Sequence, residues 1–420
     1  MRVANKLISG FCFSTVIISI VGLLTGVTKL SADNLSRAKI PTQVSLKAQL
    51  LAKEFLIADT HIDVPFRLEL SYEDVTQGTK RGQFDYPRAK MGGLNVPFMS
   101  IYIPSSKQRT REAGELANRL IDRVEAMVGR APEKFSLASS VSEVYSNFDK
   151  GLITLAMGME NGAPIAGDIN NLEHFYKRGV RYITLTHSKP NHISDSSYDE
   201  DRPWGGLSPF GRELVLQMND IGMMVDVSHI SDQAFWQVMD ISKAPVIASH
   251  SSARFFTPEF ERNMSDEMIV ALAAQGGVVQ INAGSAFLTE EAMLWNAEFK
   301  RARLRYEADS GSPLKGTTMR EFSTRYFGKN PYPYANIEDV LDHIDRVVNL
   351  TRVDAVGIGS DFDGVGNTLP EGFKDVSQYV NLIEGLLIRG YNEQDIGKIL
   401  GGNLMRVWSL VEAYSLTRKS

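Results

Sequence analysis

From Leu46 onward, apolar runs of strand length alternate with longer stretches whose apolar positions recur at helical spacing. The runs predict strands at 56–61, 95–102, 152–158, 180–186, 223–228, 245–249, 277–282 and 355–360. The amphipathic stretches predict helices at 107–129, 168–178, 209–221, 231–241, 265–275 and 338–350. Strands alternating with helices indicate a parallel sheet with crossover connections, and eight strands indicate an α/β fold of the closed (β/α)₈, TIM-barrel type. Residues 80–94, with Gly82, Pro87, Gly92 and Gly93, predict a long loop over one end. Residues 283–337 exceed an ordinary connection. They hold a charged helix, Glu290 to Asp309, and an aromatic, Pro-rich piece, Tyr326 to Tyr334, and predict an insertion or lid above the barrel mouth. Helices at 375–389 and 392–415 close the fold, and Ser208-Pro209 marks a helix start with Ser208 as N-cap and Pro209 at the first helical position.

The first 32 residues differ in kind. Arg2 and Lys6 precede an uncharged run from Leu7 to Thr28, followed by Lys29 and the small pair Ser31-Ala32, the pattern of an export signal. The run is long enough to serve instead as an uncleaved membrane anchor through residues 7–28, although Ser9, Gly10, Ser14, Thr15, Ser19 and Gly22 dilute it. Residues 33–420 then form one barrel domain at the periplasmic or extracellular face. The only cysteine, Cys12, lies in the leader, so the folded part is expected to be stable without disulfides and to bind metal without thiolate. The net charge is −5, and losing the three leader cations, with no acids, takes it to −8. That balance excludes a nucleic-acid partner, which would require clustered excess Lys and Arg. A composition 43% hydrophobic and 23% charged, without low-complexity tracts, is that of a globular enzyme rather than a disordered or fibrous chain.

Chemistry concentrates where the predicted strands end. His61 and Asp63 close the first, Glu160 the third, His187 the fourth, His229 the fifth, His250 the sixth and Asp361 the eighth. On a strand, His61 and Asp63 would face one side, because side chains repeat every second residue. In a parallel barrel these ends meet at one mouth, where active sites of the architecture lie. Taken singly, each is an ordinary strand-end polar residue, but six such ends in one chain are hard to explain as separate accidents. Several carboxylates in a closed mouth also need cations to offset them. Imidazole and carboxylate without thiolate suit zinc, manganese, iron or cobalt, with zinc the usual choice for hydrolysis. The donors are too many for one four-coordinate ion with an open position. Two ions bridged by a carboxylate accommodate them and leave a bridging water able to supply hydroxide near neutral pH.

His61-Ile62-Asp63, Met159-Glu160-Asn161-Gly162, Val225-Asp226-Val227-Ser228-His229, the segment Ala244 to Ala253 and Gly359-Ser360-Asp361-Phe362-Asp363-Gly364 together resemble the membrane (renal) dipeptidase family, from about residue 50 to about 410. The resemblance implies a zinc metallopeptidase with two Zn²⁺ per subunit. His61 and Asp63 would hold one ion, His229 and His250 the other, with Glu160 bridging. It assigns His187 to the substrate or its tetrahedral intermediate, Arg262 to the C-terminal carboxylate, and Asp361 to acid/base work at the leaving amine. Dipeptides, including those with a C-terminal D-residue, are the implied substrates, and a homodimer is left open. Ile62 departs from the family's usual Asn at a position expected to point away from the metals. Gly162-Ala163-Pro164 varies the loop after Glu160 and bears on substrate preference. His192 is read as loop polarity, and His174 and His343 as surface groups on helices. Two other readings compete. One is a different binuclear amidohydrolase acting on cyclic amides, lactones or phosphoesters, against which stand the His-x-Asp opening and a bridging Glu in place of a modified Lys. The other is a non-catalytic metal-dependent binding or scaffold protein, against which stands the complete set Asp361, His187 and Arg262.

Overall fold

The computed structural model describes residues 43–419. The leader read at residues 1–32, Cys12 included, lies outside the described residues; within them no helix is long and apolar enough to cross a membrane. The compact unit that carries the chemistry begins at Lys47.

Eight parallel strands form a nearly closed barrel: β1 (Ile57–Ile62), β2 (Leu94–Tyr102), β4 (Ile153–Glu160), β5 (Val180–Thr184), β6 (Met224–Asp226), β7 (Ile247–Ala248), β8 (Val278–Ile281) and β9 (Val356–Ile358), paired in that order. A short extra strand, β3 (Phe135–Leu137), pairs only with β4 outside the barrel path, and nothing in its three residues marks it in the sequence. Closure between β9 and β1 comes just beyond the strand ends. There the Asp63 N–H donates to the Phe362 carbonyl at 2.8 Å, and the Asp361 N–H donates to the His61 carbonyl at 3.0 Å. The eight predicted strands are all present, several of them shorter than predicted.

Alternation sorts the strand residues into two cores. Ala58, Phe98, Ala156, Tyr182, Met224, Ile247 and Val278 fill the barrel interior together with Leu404, Val407 and Trp408 of the C-terminal helix (Asn403–Lys419). The other face of each strand packs against the crossover helices. Gly158 on β4 shows the interior constraint: a Cβ there would lie 1.9 Å from the Tyr182 ring, so only glycine admits that tyrosine. Helix Pro209–Ile221 begins as read, with the Ser208 hydroxyl capping the Gly211 N–H.

Two local readings are corrected, and the insertion gains detail. Residues 80–94 are not all loop; Tyr86–Gly92 is a helix capped by Asp85. In the insertion, the aromatic, Pro-rich piece from Tyr326 to Tyr334 begins inside a helix, Gly316–Lys329, which pairs with helix Glu290–Ser310 through an aromatic seam. Trp295 sits 5.3 Å from Tyr326 and 4.9 Å from Tyr332, centroid to centroid. Side-chain stacking of this kind has no short sequence period to betray it. Finally, His343 is fully buried, whereas His174 is exposed as read.

His343 has a bridging task. Its Nδ1 accepts from the Ala253 N–H and its Nε2–H donates to the Leu288 carbonyl, both at 3.0 Å. The ring thus joins the loop after β7 to the root of the insertion, and burial pushes its protonation down to about 4. The unfolded chain, with histidine near 6.5, takes up that proton first. The group's contribution is therefore complete above about pH 6.5 and is lost as pH falls towards 4, to a maximum of about 3 kcal/mol. In denaturant titrations from pH 7.5 to 4.5, the stability gap between the wild type and His343→Gln is expected to narrow on acidification; a gap independent of pH would contradict the assignment.

Candidate metal centre

The chain turns inward at the end of β1 for a reason more specific than strand alternation. Asp59 pairs with Pro97 and Ile62 with Met99, so three steps on β1 face two on β2, an extra residue of the β-bulge kind. With the bulge, the single Thr60 hydroxyl hydrogen is shared between the Ser249 and Ile358 carbonyls, while His61 reaches the interior hydroxyl of Tyr182. Asp63 has already left the strand, standing at the N-terminal boundary of helix Val64–Leu70. His61 and Asp63 do meet, with Nε2 3.4 Å from Oδ2, but through a bulge and a helix start rather than two positions of a regular strand.

Glu160, the last residue of β4, lies at the centre. Its Oε2 is 3.4 Å from His61 Nε2, and its Oε1 is 3.0 Å from His229 Nε2 and 3.4 Å from the Nε2 atoms of His187 and His250. The His229 and His250 Nε2 atoms are 2.9 Å apart, and the His61 and His250 rings stack at 3.7 Å. Three overlapping donor sets emerge, each with ligand atoms within 4.8 Å of one another: His61, Glu160 and His250; Glu160, His187 and His229; and His61, Asp63 and Asp361. The structure brings together every candidate ligand. Its overlapping sets do not divide them between two ions in the way the resemblance implies.

The far sides of the His61 and His250 rings favour a cation, whereas Nδ1 of His187 and of His229 is buried without a partner. The Tyr182 hydroxyl donates to the Thr60 carbonyl at 2.8 Å, so it accepts from His61 Nδ1 at 2.9 Å; Nε2 then turns a lone pair, buried and without a partner, towards Glu160 and Asp63. Likewise the Ser249 hydroxyl donates to Asp226 at 2.6 Å and accepts from His250 Nδ1 at 2.7 Å. Both tautomers are held with the Nε2 lone pair turned towards the centre, the arrangement found behind metal-binding histidines. The charge balance agrees. Burial opposes protonation of His61, yet Tyr182, Glu160 and Asp63 draw it well above its ordinary range; the carboxylates that would hold a cation attract a proton. Burial, aided by Asp63 and Glu160, pushes Asp361 up to about 8. Burial first, then the charges of Arg262 and His187, holds His229 well below the imidazole range, and neutral imidazole is the ligating form.

Asp361 accepts from Asn282 Nδ2 at 2.8 Å and has φ of 63°. His229, Asn161 and Asp363 also occupy the left-handed region, at φ 71°, 77° and 67°. Such conformations cost about 1–2 kcal/mol each and cluster where function imposes them. Gly364 closes the turn after Asp361, and a Cβ there would lie 2.1 Å from Asp361 Oδ1 and 2.3 Å from Asp63 Oδ2. Arg262 is buried nearby, donating through Nη1 to Ser251 Oγ at 2.6 Å and through Nη2 to the His250 carbonyl at 2.7 Å, while its Nε–H is left without a partner. Its guanidinium lies 5.2 Å from the Phe287 ring centroid. A cavity of about 680 Å³ opens above this floor, lined among others by Asp63, Glu160, His187, His229 and Asp361. His192 does not border it; with Asn191 and Trp204 it lines a separate hollow.

The sequence pattern of membrane dipeptidases, peptidase family M19, matches residues 46–420. The chain belongs to the membrane dipeptidase family. A dipeptidase of Aspergillus oryzae is 34% identical over 339 residues, 79% of this chain and 70% of the relative. A dipeptidase of Schizosaccharomyces pombe is 31% identical over 383 residues, 87% of this chain and 83% of the relative. Among solved structures, the probable dipeptidase PvdM from Pseudomonas aeruginosa superposes with a TM-score of 0.79 at 28% identity, covering 89% of this chain and all of that one. A Rhodobacter sphaeroides metallopeptidase, liganded with a phosphinate mimic of the dipeptide L-Ala-D-Ala, superposes with a TM-score of 0.69 at 25% identity, covering 85% of this chain and 99% of that one. The chain is therefore an M19 metallodipeptidase with a buried His/Glu cluster suited to metal.

Within this membrane dipeptidase, the sequence reading missed the residues behind the ligands. Asp226 accepts from the Ser228 and Ser249 N–H groups and from the Thr184 and Ser249 hydroxyls, tying β5, β6 and β7 into one buried node. Asp59 accepts from the His61 and Ser360 N–H groups and from the Tyr379 hydroxyl. Asp226 sat in a quoted motif and Asp59 two residues before another; an acid inside an apolar strand run with no basic neighbour was the available signal. Replacing the acceptor behind His61 by Tyr182→Phe is expected to weaken metal retention about 10- to 100-fold, read by chelator competition. Unchanged retention would remove the tautomer argument.

Proposed function

We propose that this membrane dipeptidase is an exported dizinc enzyme hydrolysing free dipeptides, including those with a C-terminal D-residue. The observation that carries the reading is the convergence of His61, His187, His229 and His250 Nε2 on the two oxygens of Glu160, with the His61 lone pair unpartnered. Five donors would hold the ions: His61, Asp63, Glu160, His229 and His250. Bound there, two zinc ions would supply a nucleophilic water at neutral pH and polarise the scissile carbonyl. The D-residue part is supported by the phosphinate ligand of the Rhodobacter neighbour. Export and membrane attachment rest on the leader at residues 1–32.

The protein groups share the remaining work. Arg262, through its unpaired Nε–H, receives the substrate carboxylate and fixes the peptide bond at a set distance from the floor. That anchor is why dipeptides are favoured over longer chains. His187, packed edge-on against Tyr102 at 4.9 Å, donates to the oxygen of the carbonyl as charge develops there. Asp361 carries the proton from the attacking water to the leaving amine, with Asn282 holding its other oxygen.

Metal content measured beside a panel of L,L and L,D dipeptides tests this reading. Asp63→Ala and His229→Ala are each expected to lose about one equivalent of metal together with activity. Asp361→Asn should keep its metal and lose about 10²- to 10⁴-fold in kcat. Metal-loaded protein inactive on the whole panel would sink the proposal, and greater activity on a lactone or phosphotriester would favour the amidohydrolase alternative.

A further inference from the structure

The cavity above the metal centre is not uniform in charge. Its floor carries Asp63, Glu160 and Asp361, and its walls include Phe66 and Phe287, but two lysines, Lys189 and Lys300, stand at its edge. They differ in their commitments. Lys189 Nζ is paired with Asp199 Oδ2 at 2.8 Å, which offsets its charge. Lys300, on the inserted helix Glu290–Ser310, is exposed and has no hydrogen bond or ion pair among the described residues. The acid nearest in sequence, Glu298, is taken by Arg301. Three residues on from Lys300, on the same helical face, Arg303 has a buried Nε with no partner. One face of the insertion therefore carries two cationic side chains with no ion-pair partner among the described residues, the first of them lining the substrate cavity.

A dipeptide with neutral side chains offers one carboxylate, and Arg262 accounts for it. An unmatched cation at the cavity edge raises the local potential for a substrate that brings a second negative group. We propose that Lys300 is a specificity-determining residue that selects dipeptides bearing an additional carboxylate on a side chain, with Arg303 adding to the positive potential of that face. The inference rests on the dipeptidase reading above and goes beyond it by naming the substrate class and the residue that recognises it. The contact is an exposed, single ion pair, so its effect is modest, about fivefold in kcat/KM at low salt, and it weakens as ionic strength rises.

The test uses metal-loaded full-length protein and matched acid/amide pairs, Ala-Glu against Ala-Gln and Glu-Ala against Gln-Ala. The ratio of kcat/KM, acid over amide, cancels any general effect of a variant on folding or metal loading. In the wild type the ratio is expected to exceed that of Lys300→Gln by about fivefold in at least one pair, to be retained by Lys300→Arg, and to fall below the Lys300→Gln value in Lys300→Glu. Raising the salt from 20 mM to 500 mM should collapse the wild-type ratio towards that of Lys300→Gln. Equal ratios in wild type and Lys300→Gln for both pairs, with dipeptides still cleaved, would overturn this proposal alone. No cleavage of any dipeptide would overturn the dipeptidase reading and the proposal with it.

Discussion

Three carboxylates and four imidazoles are held at the buried end of one barrel, with the Glu160 carboxylate between them, and this crowding of like donors is the constraint from which the rest of the structure follows. Acids brought together away from water repel one another and lose hydration, so such an arrangement persists only where positive charge offsets it. The rise of Asp361 to about 8 and the upward pull on His61 are two expressions of that demand. A divalent cation satisfies it more completely than a proton, because one ion can meet several lone pairs at once. The partners behind the ligands then make sense as a group: Tyr182 and Ser249 set which nitrogen of His61 and His250 carries hydrogen, and Asp226 fixes Ser249. Each leaves a lone pair aimed at the centre.

Holding donors in place costs stability locally, and the barrel supplies it elsewhere. His229, Asn161, Asp361 and Asp363 occupy left-handed backbone at or next to strand ends, and Gly364 must lack a side chain for the turn to approach Asp361 and Asp63. These departures sit above two well-packed layers, the interior cluster closed by Trp408 and the outer shell of crossover helices. Function is placed where regular structure ends, and the strain stays within a few residues of the strand termini.

The barrel was legible because its signals are local: each strand is an apolar run, and each crossover helix carries its own period and often its own cap, as at Ser208. The candidate donors were legible as a group because imidazole or carboxylate recurs at the ends of those runs, and the structure brings them to one mouth. What escaped the sequence depends on contacts between distant segments. The bulge that turns His61 inward is a register offset between β1 and β2, invisible in either strand alone. His343 falls on a helical pattern that reads equally as surface or core until Ala253 and Leu288 are seen at its two nitrogens. The helix Gly316–Lys329 is held to its neighbour by aromatic side chains, and its Tyr and Phe residues, next to Pro331 and Pro333, resemble loop composition.

The same distinction separates chemistry from selectivity in this molecule. At its root the insertion is bound into the site: His343 ties Leu288 to the loop that follows His250, and Phe287 lies against Arg262. Farther out, helices Glu290–Ser310 and Gly316–Lys329 bury only Ala292 and Phe322 and lean on their own aromatic seam. A change at Lys300 therefore has no rigid path to Glu160 or Asp361, whereas a change at Tyr182 or Asp226 acts directly on the ligands. Loops standing on a barrel can alter what is admitted without altering how it is cleaved, provided that the residues fixing the reacting groups lie on strands. Here the division falls near Leu288, where the buried hydrogen bond to His343 gives way to an exposed helix carrying unmatched charge.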